Sequence, residues 1–172
     1  GTQARLMSQA LRKLTAIVSK TKTIFKDNFP VIEKGAKHAE TSMGMSTKAA
    51  MDGASTFANF FTQVGLGGPV VAKMSQRFVE LSTDFASFHN AQPQEVMDAL
   101  AAATRGEYDA LQRFVPTANA ANVEMMAMTT TGKKQASMLN QAEKATALYN
   151  LVLKDGGDAI GDFGRTSSGA AN

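Results

Sequence analysis

The spacing of the apolar side chains is the feature that most constrains this chain, because they recur every three or four residues. The clearest seam covers residues 71–88 in alternating steps of three and four: Val71, Met74, Phe78, Leu81, Phe85 and Phe88. Such steps place side chains on one face of an α-helix, and no segment shows the sustained alternation typical of a strand. The sequence predicts an all-α fold, a bundle-like set of helices with no sheet. Its predicted core draws on residues of three segments: Phe57, Phe61, Met74, Phe78, Leu81, Phe85 and Leu100.

Composition favours the same class. Alanine supplies 28 of the 172 residues, whereas aromatic residues make up 7 %. Small side chains let helices approach closely, and a β-sandwich would need more branched and aromatic residues. We expect at least about 60 % helix from the extent of the helical patterns.

Capping and breaker residues indicate where the helices begin and end. Pro30 should end a first long helix, and Ser46 can cap the N-terminus of a later one. Pro93 is suited to the first turn of a helix, and Asn140 with Glu143 three residues later forms an Asx version of the capping box.

A further helix is predicted to start at Pro116. Its methionines, Met125, Met126 and Met128, are interpreted as flexible core filler rather than as a recognition surface.

Charge divides the chain into two parts. Residues 1–43 carry eight Lys and Arg against three Asp and Glu, whereas residues 44–172 carry ten against twelve. We therefore predict two regions, a basic amphipathic helical arm over residues 1–45 and a second helical region over residues 46–172.

The arm carries a long apolar stripe whose members are separated by four and three residues in turn: Met7, Leu11, Leu14, Val18 and, after Thr21, Phe25. The stripe predicts packing against another helix. Two interpretations remain open, namely self-association of several copies and an ordinary amphipathic helix lying on the rest of the domain. A different, basic face carries Lys13, Lys20 and Lys26, which should stay outside the contact and face solvent or an acidic surface.

The basic residues of the arm also raise the question of a nucleic-acid partner. Arg12, Lys13, Lys20, Lys22 and Lys26 could meet phosphates along one helix. The polar face has no aromatic residue, and the chain has no helix-turn-helix or RNA-binding signature. Direct nucleic-acid binding is therefore not expected, and an acidic protein surface is an equally good partner.

Catalytic chemistry has little support in the sequence. The chain has no cysteine, so it lacks a thiol nucleophile and the usual ligands of zinc knuckles and iron–sulfur clusters. Its two histidines, His38 and His89, stand far apart, and the glycines of residues 65–68 follow a helical pattern and lack the Lys-Ser/Thr of a phosphate loop. Four carboxylates are spaced like solvent-facing helix positions: Asp84, Asp98, Glu107 and Asp109. We expect no enzyme, no cofactor and no metal site.

Residues 53–72 contain no charged side chain and so raise the question of a membrane span. Polar residues such as Asn59 and Gln63 interrupt the segment, and the glycines of residues 65–68 with Pro69 would break a helix in mid-bilayer. The segment is predicted to form a helix, a turn and a second helix. A membrane-active protein that inserts this segment into lipid remains the alternative function.

Several blocks of the sequence occur in one order and together resemble a known family. They are residues 81–90 (LSTDFASFHN), 93–100 (PQEVMDAL), 105–114 (RGEYDALQRF), 139–145 (LNQAEKA) and 161–166 (GDFGRT). The chain resembles the tape measure proteins of long-tailed bacteriophages and prophages over about residues 46–172. It departs from the family pattern at Val115-Pro116 and at Gly156-Gly157.

The resemblance implies a structural virion protein that occupies the tail lumen, sets tail length during tube assembly and leaves ahead of DNA during ejection. It implies tail tube and tail tip proteins and assembly chaperones as partners, three or six copies in a cyclic arrangement, and transient contact with the host membrane. The protein would be found in the host cytoplasm during assembly, and in the tail Lys13, Lys20 and Lys26 would face solvent or an acidic tail lumen. With its prolines and glycines, the chain is expected to be a folded helical piece of a longer protein whose ruler lies elsewhere.

Overall fold

The computed structural model describes the backbone of residues 1–171 and the side chains of these residues except Ser42 and residues 167–171. The structure is 81 % helical, and the described backbone contains no strand, which confirms the all-α prediction. The helices, in chain order, are α1 (Thr2–Phe25), α2 (Phe29–Ser42), α3 (Thr47–Gln63), α4 (Gly68–His89), α5 (Pro93–Thr104), α6 (Ala120–Thr131), α7 (Gln141–Asp155) and α8 (Asp162–Ala171).

Helix α4 is the centre of the bundle and contacts α2, α3, α5 and α8. The Phe78 ring lies 5.3 Å from that of Phe57, 5.6 Å from that of Phe61 and 5.5 Å from that of Tyr149, between ring centroids. Every residue of the predicted core is buried, so that prediction is confirmed: Phe57, Phe61, Met74, Phe78, Leu81, Phe85 and Leu100.

The predicted seam of α4 is one residue too long. Phe88 is 49 % exposed and packs edge-on against the ring of His89, with 5.0 Å between centroids. It lies in the last turn of α4, which Asn90 closes in the left-handed conformation. Phe88 thus continues the apolar pattern of α4 on a part of the helix that the core does not bury.

Side-chain caps form where the sequence predicts them. The Ser46 hydroxyl accepts a hydrogen bond from the Ala49 amide at 3.1 Å. The Asn140 side chain accepts from the Glu143 amide at 2.7 Å, while the Glu143 carboxylate accepts from the Asn140 amide at 2.9 Å, which completes the capping box. Pro93 is the first residue of α5.

The helix predicted to start at Pro116 starts later. Its first residue is Ala120, because the side chain of Asn119 accepts a hydrogen bond from the Asn122 amide at 2.8 Å and caps the helix there. The interpretation of its methionines as core filler is also wrong for Met125, which is 61 % exposed. Met126 and Met128 are partly buried.

The uncharged segment of residues 53–72 forms the end of α3, a turn and the start of α4, as predicted. Phe57, Phe61 and Ala72 are buried in the bundle. No helix within the described residues is long and apolar enough to span a membrane.

Helix α2 packs on α3 and α4. It contributes Ile32, Ala36 and Ala39, all fully buried, so the second half of the predicted arm belongs to the core. The boundary predicted at residue 45 falls in the connection between α2 and α3.

Candidate functional site

The apolar stripe of α1 is covered at one end and exposed at the other. Phe25 is 4 % exposed and Val18 is partly buried, whereas Met7 is 67 %, Leu11 63 % and Leu14 38 % exposed. Within the described structure, every residue from 1 to 16 is exposed. The stripe therefore continues out of the core into solvent.

The covered end of the stripe is buried where the C-terminal half of α1 packs on α3. Ile17, Thr21 and Phe25 are buried there, and the Thr21 hydroxyl donates to the Ile17 carbonyl at 2.6 Å. Of the two interpretations of the stripe, an amphipathic helix lying on its own domain describes this half. The structure of one chain does not test the other interpretation, self-association through the exposed half.

The exposed half of α1 extends the helix well beyond the bundle. The fifteen helical residues from 2 to 16 span about 22 Å at a rise of about 1.5 Å per residue. Leu6, at 59 % exposure, widens the stripe on the side of Met7. Leu6 was not among the predicted members of the stripe. Ala10, an apolar residue four positions later and therefore on the same side of the helix, was a signal for it.

The predicted basic face also faces solvent, since Lys13, Lys20 and Lys26 are all exposed. Lys26 ends α1 with a positive φ of 51°. Helix α1 itself contains five basic residues and no acidic one: Arg5, Arg12, Lys13, Lys20 and Lys22. None of these five forms an ion pair with a carboxylate of the described residues.

A second surface feature is a cleft of about 420 Å³ where the ends of α3 and α5 meet the starts of α6 and α7. Tyr108, Arg105, Glu124 and Lys144 line it. Burial, and to a smaller degree the Glu124 carboxylate, raises the pKa of the Tyr108 phenol above its ordinary value. Arg105 stacks over the Phe60 ring at 4.6 Å, so its cation is engaged by the protein itself.

The two histidines do not come together. His38 is exposed on α2, whereas the His89 ring packs edge-on against that of Phe114 with 5.4 Å between centroids. Across the described part of the chain, no group of three or more His, Asp or Glu side chains is arranged to hold a metal ion.

Asp84, predicted to face solvent, is instead 8 % exposed. Its carboxylate accepts hydrogen bonds from the amide of Gly161 at 2.8 Å and from that of Phe163 at 3.3 Å. These two amides belong to the segment that begins α8, so the carboxylate holds the C-terminal segment against α4. The prediction for Asp84 is wrong because its partners lie far along the chain. The other three carboxylates, Asp98, Glu107 and Asp109, are exposed as predicted.

The exposed half of α1 thus combines an uncovered apolar stripe with a polar face whose charged residues are all basic. Comparisons of the chain with protein-family models, with curated proteins and with solved structures find no match.

Proposed function

We propose that this chain is a structural component of the tail of a long-tailed bacteriophage or prophage, part of a tape measure protein. The observation that carries the proposal is the ordered set of sequence blocks between residues 81 and 166 that resemble this family. Five blocks in the family order are a more specific likeness than one short motif.

The position of these blocks in the fold supports the proposal. They cover the end of α4, the start of α5, the 3₁₀ turn of Asp109–Arg113, the start of α7 and the start of α8. Helix α4 contacts both α5 and α8, and α5 also contacts α7. The resembling blocks therefore belong to elements that pack on one another, as parts of one folded unit should.

In this role the chain does no covalent chemistry and needs no cofactor. It occupies the tail lumen in three or six copies, contacts tail tube and tail tip proteins, and is held by assembly chaperones in the host cytoplasm before the tube closes around it. Three exposed lysines face an acidic lumen, Lys13 and Lys20 on α1 and Lys26 directly after it. The longer protein supplies the ruler that sets tail length.

In-frame deletion of residues 46–172 in a phage that encodes the chain tests the proposal. We expect a loss of tails, or tails of irregular length, in electron micrographs of the lysate. Supply of the intact chain in trans should restore tails of uniform length. Tails of normal length and number in the deletion phage would show that the region has no part in tail assembly.

Charge reversal tests the role of the basic face separately. A variant with Lys13→Glu, Lys20→Glu and Lys26→Glu keeps the bundle intact, since all three side chains are exposed. We expect it to assemble fewer tails if these residues face an acidic surface. Normal assembly with all three charges reversed would remove the electrostatic part of the proposal and leave the rest in place.

Membrane activity is the second candidate function, and the uncharged segment of residues 53–72 favours it. In the folded chain this segment is engaged, because Phe57 and Phe61 pack against Phe78. Insertion into lipid would require α3 and the start of α4 to leave the bundle. Dye release from liposomes by the isolated chain would support this candidate, and intact liposomes would exclude it for the chain alone.

A further inference from the structure

The apolar stripe on the first half of α1 is left uncovered by the residues that the structure describes. Met7, Leu11 and Leu14 belong to the stripe whose later members, Thr21 and Phe25, are buried where α1 packs on α3. Burial of a large apolar side chain is favourable, so a continuous stripe with one half in solvent indicates a missing partner.

The shape of the site restricts what the partner can be. Because α3 covers the same face of α1 from Ile17 onward, the bundle stands on that side of the helix. A flat lipid surface would meet the bundle before it could cover Leu14. A rod of helical width, in contrast, fits alongside residues 4–15, in line with the contact that α3 already makes.

The charge of the site restricts the partner further. Five cations and no anion lie on α1, and no described carboxylate pairs with them. A second copy of α1 would add five more cations along the same contact, which disfavours pairing of like helices. A helix rich in Asp and Glu would be attracted to it.

We propose that the exposed half of α1 is a docking site for an acidic amphipathic helix of another protein chain. The partner helix lays its apolar residues, spaced by three and four, along Leu6, Met7, Leu11 and Leu14. Its acidic residues on either side of that face pair with Arg12 and Lys13. The inference does not depend on a role in phage tails, since it follows from the shape and charge of α1 alone.

Two designed peptides test the site directly. Both are labelled helices of about sixteen residues, matched in length to the exposed part of α1, with leucine at the three-four positions. One carries glutamate at its polar positions, and the other carries lysine. In fluorescence anisotropy with the whole chain we expect the acidic peptide to bind at least about tenfold more tightly than the basic one.

Variants of the chain assign any binding to this face. Leu11→Gln with Leu14→Gln should weaken binding of the acidic peptide at least about tenfold, because it removes two leucines that the bound peptide would bury. Both residues are exposed, so the fold should be retained, and circular dichroism checks it. Reversal of Arg12 and Lys13 to glutamate should weaken binding to a similar extent. The matched control, Lys73→Glu with Lys134→Glu, makes the same change in net charge at exposed sites outside α1 and should leave binding unchanged.

Three outcomes would overturn the proposal. The first is equal binding of the acidic and basic peptides, and the second is binding that survives Leu11→Gln with Leu14→Gln. The third is a different partner on the same stripe. It would be seen as dimers or higher oligomers of the chain in light scattering, or as tighter binding to phosphatidylglycerol vesicles than to the acidic peptide. In either case the association would be lost in the variant with Leu11→Gln and Leu14→Gln.

Discussion

The side-chain amide of Gln76 lies directly against Gly35, so that a β-carbon at residue 35 would stand 2.1 Å from the Gln76 Cδ atom. Gln76 is 7 % exposed, and neither its Nε2 nor its Oε1 atom has a hydrogen-bond partner in the described structure. Glycine at residue 35 leaves room for the end of this side chain where α2 packs on α4. Its φ is not positive, so the backbone conformation alone does not require glycine there.

The effect of Gly35→Ala on the free energy of unfolding should change sign with the residue at position 76. In the natural chain the overlap with Gln76 should outweigh the better helix propensity of alanine and cost about 1 kcal/mol of unfolding free energy. In a Gln76→Ala background the overlap is gone, and Gly35→Ala should stabilise the chain by about 0.5–1 kcal/mol. Urea unfolding of the four proteins measures both effects. The same sign in both backgrounds would show that the contact does not limit the approach of the helices.

Two phenylalanines of α4 should differ sharply in their contribution to stability. Phe78 is fully buried among Phe57, Phe61 and Tyr149, so Phe78→Ala should lower the free energy of unfolding by about 3–5 kcal/mol. Phe88→Ala removes a phenylalanine ring from the last turn of the same helix, where the ring is 49 % exposed. It should lower the free energy of unfolding by less than about 1 kcal/mol. Similar losses in chemical denaturation for both variants would contradict this assignment of the core.

The Asp84 carboxylate should be what holds the start of α8 on the bundle. Asp84→Asn keeps the size of the side chain but replaces one acceptor oxygen by a donor, so one of the two amide contacts is lost at a cost of about 1–3 kcal/mol. Hydrogen exchange should accelerate at the amides of Gly161 and Phe163 and stay slow in the middle of α4. Asp98→Asn is the control, because Asp98 is exposed. Unchanged exchange at both amides in Asp84→Asn would rule out the clamp.

Ionisation of Tyr149 should destabilise the fold at high pH. Burial is the main cause that raises the pKa of this phenol above its ordinary value of 10.0. The folded state therefore holds the phenolic proton more tightly than the unfolded state, and the stability that this gives is complete below pH 10 and is lost as the pH rises through the folded-state pKa. Tyr149→Phe should leave stability at neutral pH nearly unchanged and make the loss above pH 10 less steep. Thermal unfolding across this pH range measures the slope, and identical slopes would show that Tyr149 does not contribute.

Apolar periodicity predicted the core residues of α3, α4 and α5, because spacing of three and four residues determines which face of a helix is buried. It could not predict where that burial stops. Phe88 continues the pattern of α4 but is 49 % exposed, and Leu14 continues the stripe of α1 beyond the part that α3 covers. Both limits depend on where other helices end in space, which no local pattern contains.

The buried polar residues were also beyond reach of local patterns. Asp84 has the spacing of a solvent-facing residue, and its partner amide at Gly161 lies 77 residues later in the chain. Gln76 is likewise buried by a helix that precedes it by more than 30 residues. For the candidate site, the sequence predicted the apolar stripe and the basic face of α1, whereas the division of that stripe into a covered and an exposed half required the position of α3.

Mass spectrometry of purified particles is the direct test of the proposal that this chain is carried inside phage tails. Particles of a phage that encodes the sequence are compared before and after DNA ejection is triggered in vitro. Peptides of this chain should occur in intact particles at a fixed ratio to the tail tube protein, and should be lost from the tails after ejection. Absence of these peptides from intact particles, or their full retention in emptied tails, would contradict the claim.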